Sequence, residues 1–554
     1  TRYLTSARGF MSSPEPLLHF GLGDHETITE LTIRWPSGHV QSFQDLQADC
    51  HYTITEPSLE PPQERPRKVP TPLFAASHLL KGVRHIERPY DDFAREPLLP
   101  NKHSQLGPGI AFADVDGDGL EDFYLAQGAG TAGRIYARKA TLTEAANPFA
   151  PHAECEDITP VFFDADGDGD QDLYVVSGGV EGEAGAPVFK DRLYLSDGTG
   201  AFTFAADALP GIAASGGPAA VADYDKDGDL DLFVGGRIVP GRYPETPESQ
   251  LLRNDSGKFQ DVARESKLDA IGMVTAAVWA DTNSDSWPDL IVATEWGLVQ
   301  VFQNDKGALR SMPGENLTGW WSSLAAADLD NDGDIDLVAG NVGLNTKYKA
   351  TIEKPELLYY GDLDGTGNPQ ILEAKFEGDV CLPHRGYSCS SNAMPALRSK
   401  LPTFHSFASK SLEAIYSDTR LQKALRFEAN TLESGIFLND GNGRFKFTPL
   451  PRLAQSFPVF GAAIEDFTGD GNPDIFLIGN SNSPQRETGN MDGGISLLLR
   501  GDGRGVFQSV WPSESGLVVP GDAKGLAITD INGDKKLDIV VAINNAELMA
   551  FQAQ

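Results

Sequence analysis

The chain is poor in cysteine, in basic residues and in uninterrupted apolar sequence. Four cysteines occur in 554 residues (Cys50, Cys155, Cys381, Cys389), too few for a disulfide framework to carry a fold of this size. Cys381 and Cys389, eight apart in a loop-like stretch, are close enough in sequence to pair. No apolar run reaches the roughly 18 residues of a membrane-spanning helix. Basic residues number 45 against 79 acidic ones, a formal charge of −34, which argues against nucleic acid and against an anionic membrane surface as partners. His-Glu-x-x-His, Gly-x-Ser-x-Gly, a phosphate-cradling loop and Cys-x-x-Cys-His are all missing, so no catalytic residue is assigned. A secretory leader is missing too, but Thr1 falls inside what reads as a domain, so the N-terminus is expected to be a processed or truncated end.

What is present is turns and acid. The chain has 58 glycines and 36 prolines, which point to many short elements rather than long helices. The stretch Asp114-Val-Asp116-Gly-Asp118-Gly-Leu-Glu-Asp122 lies between two short apolar runs, and its pattern recurs from Asp164, Asp223, Asp281, Asp328, Asp466 and Asp530, with a weaker copy at Asp362. Carboxylates fall at positions 1, 3, 5 and 9, and glycine usually at position 6. A hard cation such as Ca²⁺ takes six to eight oxygens, and alternate aspartates in a tight turn supply them; the smaller Mg²⁺ is disfavoured by a flexible nine-residue loop.

Metal ligands are therefore expected from side chains at positions 1, 3, 5 and 9 and from the backbone carbonyl at position 7. In the first loop these are Asp114, Asp116, Asp118, Leu120 and Asp122. Three further loops keep all four acids: Asp164, Asp166, Asp168, Asp170 and Asp172; Asp223, Asp225, Asp227, Asp229 and Asp231; Asp328, Asp330, Asp332, Asp334 and Asp336. Three carry one neutral ligand and are expected to bind more weakly: Asp281, Asn283, Asp285, Trp287 and Asp289; Asp466, Thr468, Asp470, Asn472 and Asp474; Asp530, Asn532, Asp534, Lys536 and Asp538. The copy at Asp362 has Thr366 and Gln370 at acidic positions and is expected to be empty. Up to about seven Ca²⁺ ions would bring the net charge from −34 to −20. Loops of this kind that bind weakly need millimolar Ca²⁺, which favours an extracellular, cell-surface or periplasmic setting.

A full unit reads at 217–262: strand, acidic loop at Asp223–Asp231, strand, variable connection, strand, turn at Asn254-Asp-Ser-Gly257, strand. The first five loops are spaced by 50, 59, 58 and 47 residues. Four short antiparallel strands repeated at this period indicate a propeller blade, since one blade alone cannot bury both faces. The loops resemble the FG-GAP/VCBS repeats of integrin α-chain propellers and many bacterial secreted proteins, over about residues 108–545. That resemblance implies a divalent ion between the first two strands of each blade. The last blade runs out of chain after three strands, and Pro72-Leu-Phe-Ala-Ala-Ser parallels the fourth strand Lys258-Phe-Gln-Asp-Val-Ala, so the segment after Pro72 is expected to close the ring. Either seven blades with an elaborated fifth or eight with one poor blade fit the 138 residues between Asp328 and Asp466; seven is preferred, with Leu357–Tyr360 and Ile371–Phe376 as third and fourth strands of the Asp328 blade.

Residues 1–57 read as a small β module with strands at Thr27–Trp35, Val40–Phe43 and Tyr52–Thr55 about the turn Pro36-Ser-Gly38. Its His19-Phe-Gly-Leu-Gly and Trp35-Pro-Ser-Gly pieces resemble the ASPIC/UnbV domain, which accompanies such repeats in proteins similar to cartilage acidic protein and in large bacterial surface proteins. Residues 58–71 are a Pro-rich charged linker, and residues 72–554 form the second domain. Within it, 378–431 interrupt the repeat with a Ser-rich irregular loop (Leu382–Pro402) and a helical period over Phe404–Phe427. His384, Arg385, Cys389 and His405 are ligand-site candidates there, and His103, Arg385 and His405 are the only hint of a lyase-like centre. Trp320 and Trp321 read as core aromatics, and Asn254-Asp-Ser and Asn316-Leu-Thr as glycosylation acceptors. The function expected is non-enzymatic binding of protein or glycan, with a carbohydrate-active enzyme or a structural subunit of an extracellular assembly as alternatives.

Overall fold

The computed structural model describes residues 2–5, 13, 15–57, 71–138, 142–144 and 147–554; the Pro-rich linker falls outside them but for Thr71. The chain divides into two compact units, Thr1–Pro70 and Thr71–Gln554. In the first, Thr27–Arg34 pairs antiparallel with Val40–Gln47, in register from Thr27↔Gln47 to Arg34↔Val40. Gly38 turns the hairpin with φ +92°, a left-handed geometry that glycine adopts without strain. Tyr52–Thr55, expected as a strand, is irregular, and among the described residues no strand lies beside it to take its hydrogen bonds.

The second unit is all-β with a few short helices. Each of the seven stronger acidic loops joins the first two strands of a four-stranded antiparallel sheet, one of which gains a short fifth strand. The Asp223 sheet is representative: Ser215–Ala222, Asp231–Ile238, Gln250–Asp255 and Lys258–Asp261 lie side by side in chain order. Second strands such as Asp172–Gly178 and Asp289–Gly297 are buried almost throughout, as continuous apolar runs covered on both faces must be. Fourth strands such as Lys258–Asp261 alternate between buried and exposed. First strands of successive sheets lie against one another in chain order, and Ala523–Thr529 of the last sheet lies against Ile110–Ala113 of the first.

The two ends of this unit share a sheet, as the missing-strand argument expects. Phe74–Ser77 pairs antiparallel with Met549–Ala553, from Phe74↔Ala553 to Ser77↔Ala550. Phe74 is buried beside Phe551 and packs edge-on against Phe467 at 6.0 Å.

The expectation for the Asp328 sheet is corrected. Its third and fourth strands are Gly435–Asn439 and Phe445–Pro449. The segments expected in those places, now Glu356–Gly361 and Gln370–Glu377, instead form a separate four-stranded sheet with Val380–Pro383 and Leu425–Ala429. The stretch read as an irregular loop contains helices Tyr387–Ala393 and Ala396–Lys400. The helical period resolves into Phe404–Ala408, Leu412–Tyr416 and Asp418–Lys423. Thr403 and Ser411 each accept from a backbone N–H three residues on, so each starts a new helix where a single long one was expected.

Phe74→Ala is expected to cost about 3–5 kcal/mol through the cavity it leaves and to expose the strand junction. Thermal denaturation and hydrogen exchange over 549–553 check this; unchanged exchange there would contradict the closing role of this strand.

Candidate metal centres and axial cavity

Each acidic loop is built by backbone donors closing onto its own carboxylates. Asp114 accepts from Gly117 N at 2.8 Å and Gly119 N at 2.9 Å, and Asp118 accepts from Leu120 N at 2.9 Å. The loops at Asp164, Asp223 and Asp328 repeat this closure. The turn needs left-handed residues at positions 4 and 6. Glycine meets the position-6 need in the complete loops, while Ser286 (φ 70°) and Lys535 (φ 68°) bear it under strain in two weaker ones.

In the four complete loops three carboxylates bring ligand atoms within 4.8 Å of one another: Asp114, Asp116 and Asp122; Asp164, Asp166 and Asp172; Asp223, Asp225 and Asp231; Asp328, Asp330 and Asp332. Buried Oδ1 atoms of Asp166, Asp225 and Asp330 have no hydrogen-bond partner, and an unpaired buried carboxylate oxygen is costly unless something cationic meets it. Burial, and then the neighbouring Asp168, Asp227 and Asp332 respectively, raises the pKa of these three. The donor set fits a hard divalent cation. In the weaker loops a neutral side chain does part of that work: Asn283 donates to Asp285 at 3.0 Å and Asn532 to Asp534 at 3.2 Å. The Asp362 loop lies in the inserted sheet, and there the Arg420 guanidinium donates to the Leu363 carbonyl at 3.3 Å.

Position 9 has a second role that the sequence reading missed. Asp231 accepts from Tyr224 N at 3.2 Å and from Asn254 N on the third strand at 2.8 Å. Asp122, Asp172, Asp289, Asp336, Asp474 and Asp538 likewise accept from the third strand of their own sheets. Asn254 in turn donates to Leu230 O of its own loop and to Ala165 O of the preceding one, at 3.1 and 2.8 Å. Asn304 and Asn439 make the same bridges, and Arg138 reaches the Asp530 carbonyl, joining the first sheet to the last. Asn254 is buried in this clamp, so the acceptor reading of Asn254-Asp-Ser is corrected: a glycan cannot sit on it in the folded chain.

The other candidates are dispersed into packing. The His384 ring contacts Glu356 at 2.5 Å and lies tilted against the Tyr348 ring at 4.8 Å, and Arg385 is buried on Glu373 at 2.8 Å. Cys389 donates to Glu487 at 3.1 Å while Cys381 is buried in the inserted sheet; both are free thiols, so the possible bridge between them is not formed. His405 is exposed on a short helix. His103 is buried against Tyr243 at 4.8 Å. No hydrogen bond or ion pair among the described residues joins His103, Arg385 and His405 into one centre. Trp321 is core, against Phe437 and Phe447, but Trp320 is only half-buried and lines a cavity.

That cavity, about 250 Å³, is lined by residues at or next to the starts of all seven first strands, from Gly109 and Thr159 round to Phe460 and Lys524, so it lies where those strands converge. The acidic loops follow the other ends of the same strands. Arg237 pairs with Glu295 at 2.5 Å, and Tyr243 donates to Glu295 at 2.9 Å. Burial pushes Glu295 up, but Arg237 and His103 outweigh it and hold the carboxyl below its usual range. Lys524 pairs with Asp522 at 2.9 Å and lies over the Phe460 ring. A charged residue inside an apolar second strand, as in Asp231-Leu-Phe-Val-Gly-Gly-Arg237 or Asp289-Leu-Ile-Val-Ala-Thr-Glu295, was the signal available in the sequence.

Residues 1–61 match the family described as ASPIC and UnbV, and residues 114–175, 164–234, 281–339 and 429–477 match the FG-GAP-like repeat. No curated protein matches the chain. Among solved structures it is similar to the Vibrio cholerae biofilm matrix protein Bap1 (12% identity, 82% of this chain and 88% of that one, TM-score 0.37). It is also similar to YCF48 bound to D1 peptide (10%, 85% and 98%, 0.38). A third likeness is to an Agrocybe aegerita lectin that recognises non-reducing terminal N-acetylglucosamine (16%, 72% and 92%, 0.30).

Burial raises Asp231 to about 7, with smaller contributions from Asp225 and Asp227. A carboxyl that is harder to ionise folded than unfolded favours the folded state at low pH. That advantage is lost as pH climbs from about 4 to about 7. In EDTA, Asp231→Asn is expected to lose this component of the stability–pH profile relative to the parent, the buried histidines being common to both. Superimposable profiles would contradict it.

Proposed function

The chain carries FG-GAP-like repeats behind an ASPIC and UnbV segment, and on that premise we propose a calcium-supported, seven-bladed propeller that binds protein or glycan outside the cell. The observation that carries this reading is the set of four carboxylate triads with buried, unpartnered oxygens at Asp166, Asp225 and Asp330. Ca²⁺ there neutralises aspartates that otherwise repel, and so stabilises the state that binds it. The complete loops hold it with side-chain oxygens and the position-7 carbonyls; the Asp281, Asp466 and Asp530 loops hold it more weakly.

The seven sheets are the blades, and residues 72–554 the propeller domain, with 1–57 as the separate module and 58–71 as linker. An extracellular, surface or periplasmic setting supplies Ca²⁺ at the level weak loops need. No helix among the described residues is long and apolar enough to cross a membrane. Binding rather than catalysis is favoured because the isolated histidines, Arg385 and Cys389 are each engaged in packing or left alone on the surface. The insertion presents exposed Val380, Phe404 and Leu425, apolar side chains of the kind that recognition uses.

Excess EDTA is expected to lower the melting temperature by roughly 10 °C or more, reversed by Ca²⁺. Asp225→Asn should remove one bound ion, whereas Asp364→Asn in the inserted sheet should remove none. Calorimetric stoichiometry and melting curves read both, and an EDTA-insensitive curve would sink the proposal. A glycan array and a pull-down from native surfaces, with and without Ca²⁺, test the partner.

A further inference from the structure

The axial cavity has donors with nothing to donate to. Arg237 Nη1 and Trp320 Nε1 are buried atoms without a hydrogen-bond partner, as is His103 Nδ1, and all three residues line the same space. Buried donors are nearly always paired, with protein, with ordered water or with a bound group. Lys102 and Lys524 line the cavity as well, against Glu295 as its one acidic lining residue. In a chain with 79 acids and 45 bases, this inverted balance makes the cavity an exception to the surrounding field. Glu295 occupies Arg237 Nη2, which leaves Nη1 for a second acceptor. Phe460 and Trp320 supply apolar faces, and Asn101 and Gln105 amide groups for hydroxyls.

We propose that the axial cavity is a binding site for a small carboxylate-bearing molecule of monosaccharide size, its carboxylate on Arg237 and Trp320 Nε1. The volume, about 250 Å³, falls just under the roughly 300–1,000 Å³ usual for ligand pockets, which excludes a long chain and suits one ring. Arg237 provides a planar, permanently charged donor, the geometry that carboxylates select. The carboxylate comes either from the acidic end sugar of a glycan or from a free organic acid. This site goes beyond the macromolecular partner proposed above and does not depend on it.

Titration calorimetry on the full chain in excess Ca²⁺ tests the site, with glucuronate, cyclohexanecarboxylate (a weakly chelating one-ring acid) and glucose as probes. Glucuronate or cyclohexanecarboxylate should bind with a dissociation constant of about 1 mM or tighter, and glucose at least roughly tenfold more weakly. Preference for glucuronate assigns the sugar source and preference for cyclohexanecarboxylate the free-acid source. Arg237→Lys and Lys102→Gln should each weaken the bound acid severalfold. Lys102, half-exposed, is the variant that spares folding, and melting curves confirm that it does. Equal binding of glucose, no saturation by either acid, or affinity untouched by both variants would overturn the proposal. Because Ca²⁺ is saturating throughout, failure here leaves the metal reading standing, and EDTA insensitivity leaves this one standing.

Discussion

The structure depends on burying one aspartate at the start of every second strand. Position 9 of each acidic loop enters the core, where an unsatisfied carboxylate is untenable. Its oxygens are consumed by two backbone N–H groups, for example Tyr224 and Asn254 on Asp231. One of these groups belongs to the loop and the other to the third strand. The same side chain thereby closes the loop, sets the register of the hairpin that follows, and in the Asp114, Asp164 and Asp223 loops brings one carboxylate to a cluster that could hold a metal. Burial that favours the protonated form of Asp172, Asp231 and Asp336 is the energetic strain that a bound cation would relieve.

From that contact the sheets become coupled. The amide of Asn254, fixed by the Asp231 contact at its own N–H, donates across to the loop before it. Asn304 and Asn439 do the same, and Arg138 links first sheet to last. The turn glycines then press on the preceding loop: a Cβ on Gly257 would meet Asp166 Cβ at 2.9 Å. Loop, hairpin and neighbouring sheet are therefore coupled, and a cation held at one loop would bear on its neighbours as well as on one turn.

The two ends of the first strands have divergent chemistry. Acidic loops crowd one end; the other opens on a cavity with Lys102, Arg237 and Lys524. The inserted sheet and its helices belong to neither pattern. There Glu356 and Glu373 are spent on His384 and Arg385, and Arg420 stands beside the degenerate Asp362 loop. That loop has left-handed Gly365 and Gly367 in its turn, and Thr366 and Gln370 stand where the complete loops have acids.

The acidic repeat was legible from residue order alone, because the turn is local: alternating aspartates and a glycine at position 6 specify loop, flanking strands and donor set within nine residues. In two of the weaker loops Asn283 and Asn532 fill with an amide what Asp166 and Asp225 leave open. Strand-deficit reasoning also placed Phe74–Ser77 beside the last strand. Other features were decided only by tertiary structure. Glu356–Gly361 and Gln370–Glu377 carry the same β pattern whether they extend the Asp328 sheet or found their own. Pairing partners 50 or more residues away, such as Leu357↔Glu428, settle that choice, and no local signal encodes it. The cavity is the extreme case. It is assembled from a few residues of each of several sheets together with Asn101–Gln105, and Arg237, Glu295 and Trp320 acquire their meaning only when those sheets come together.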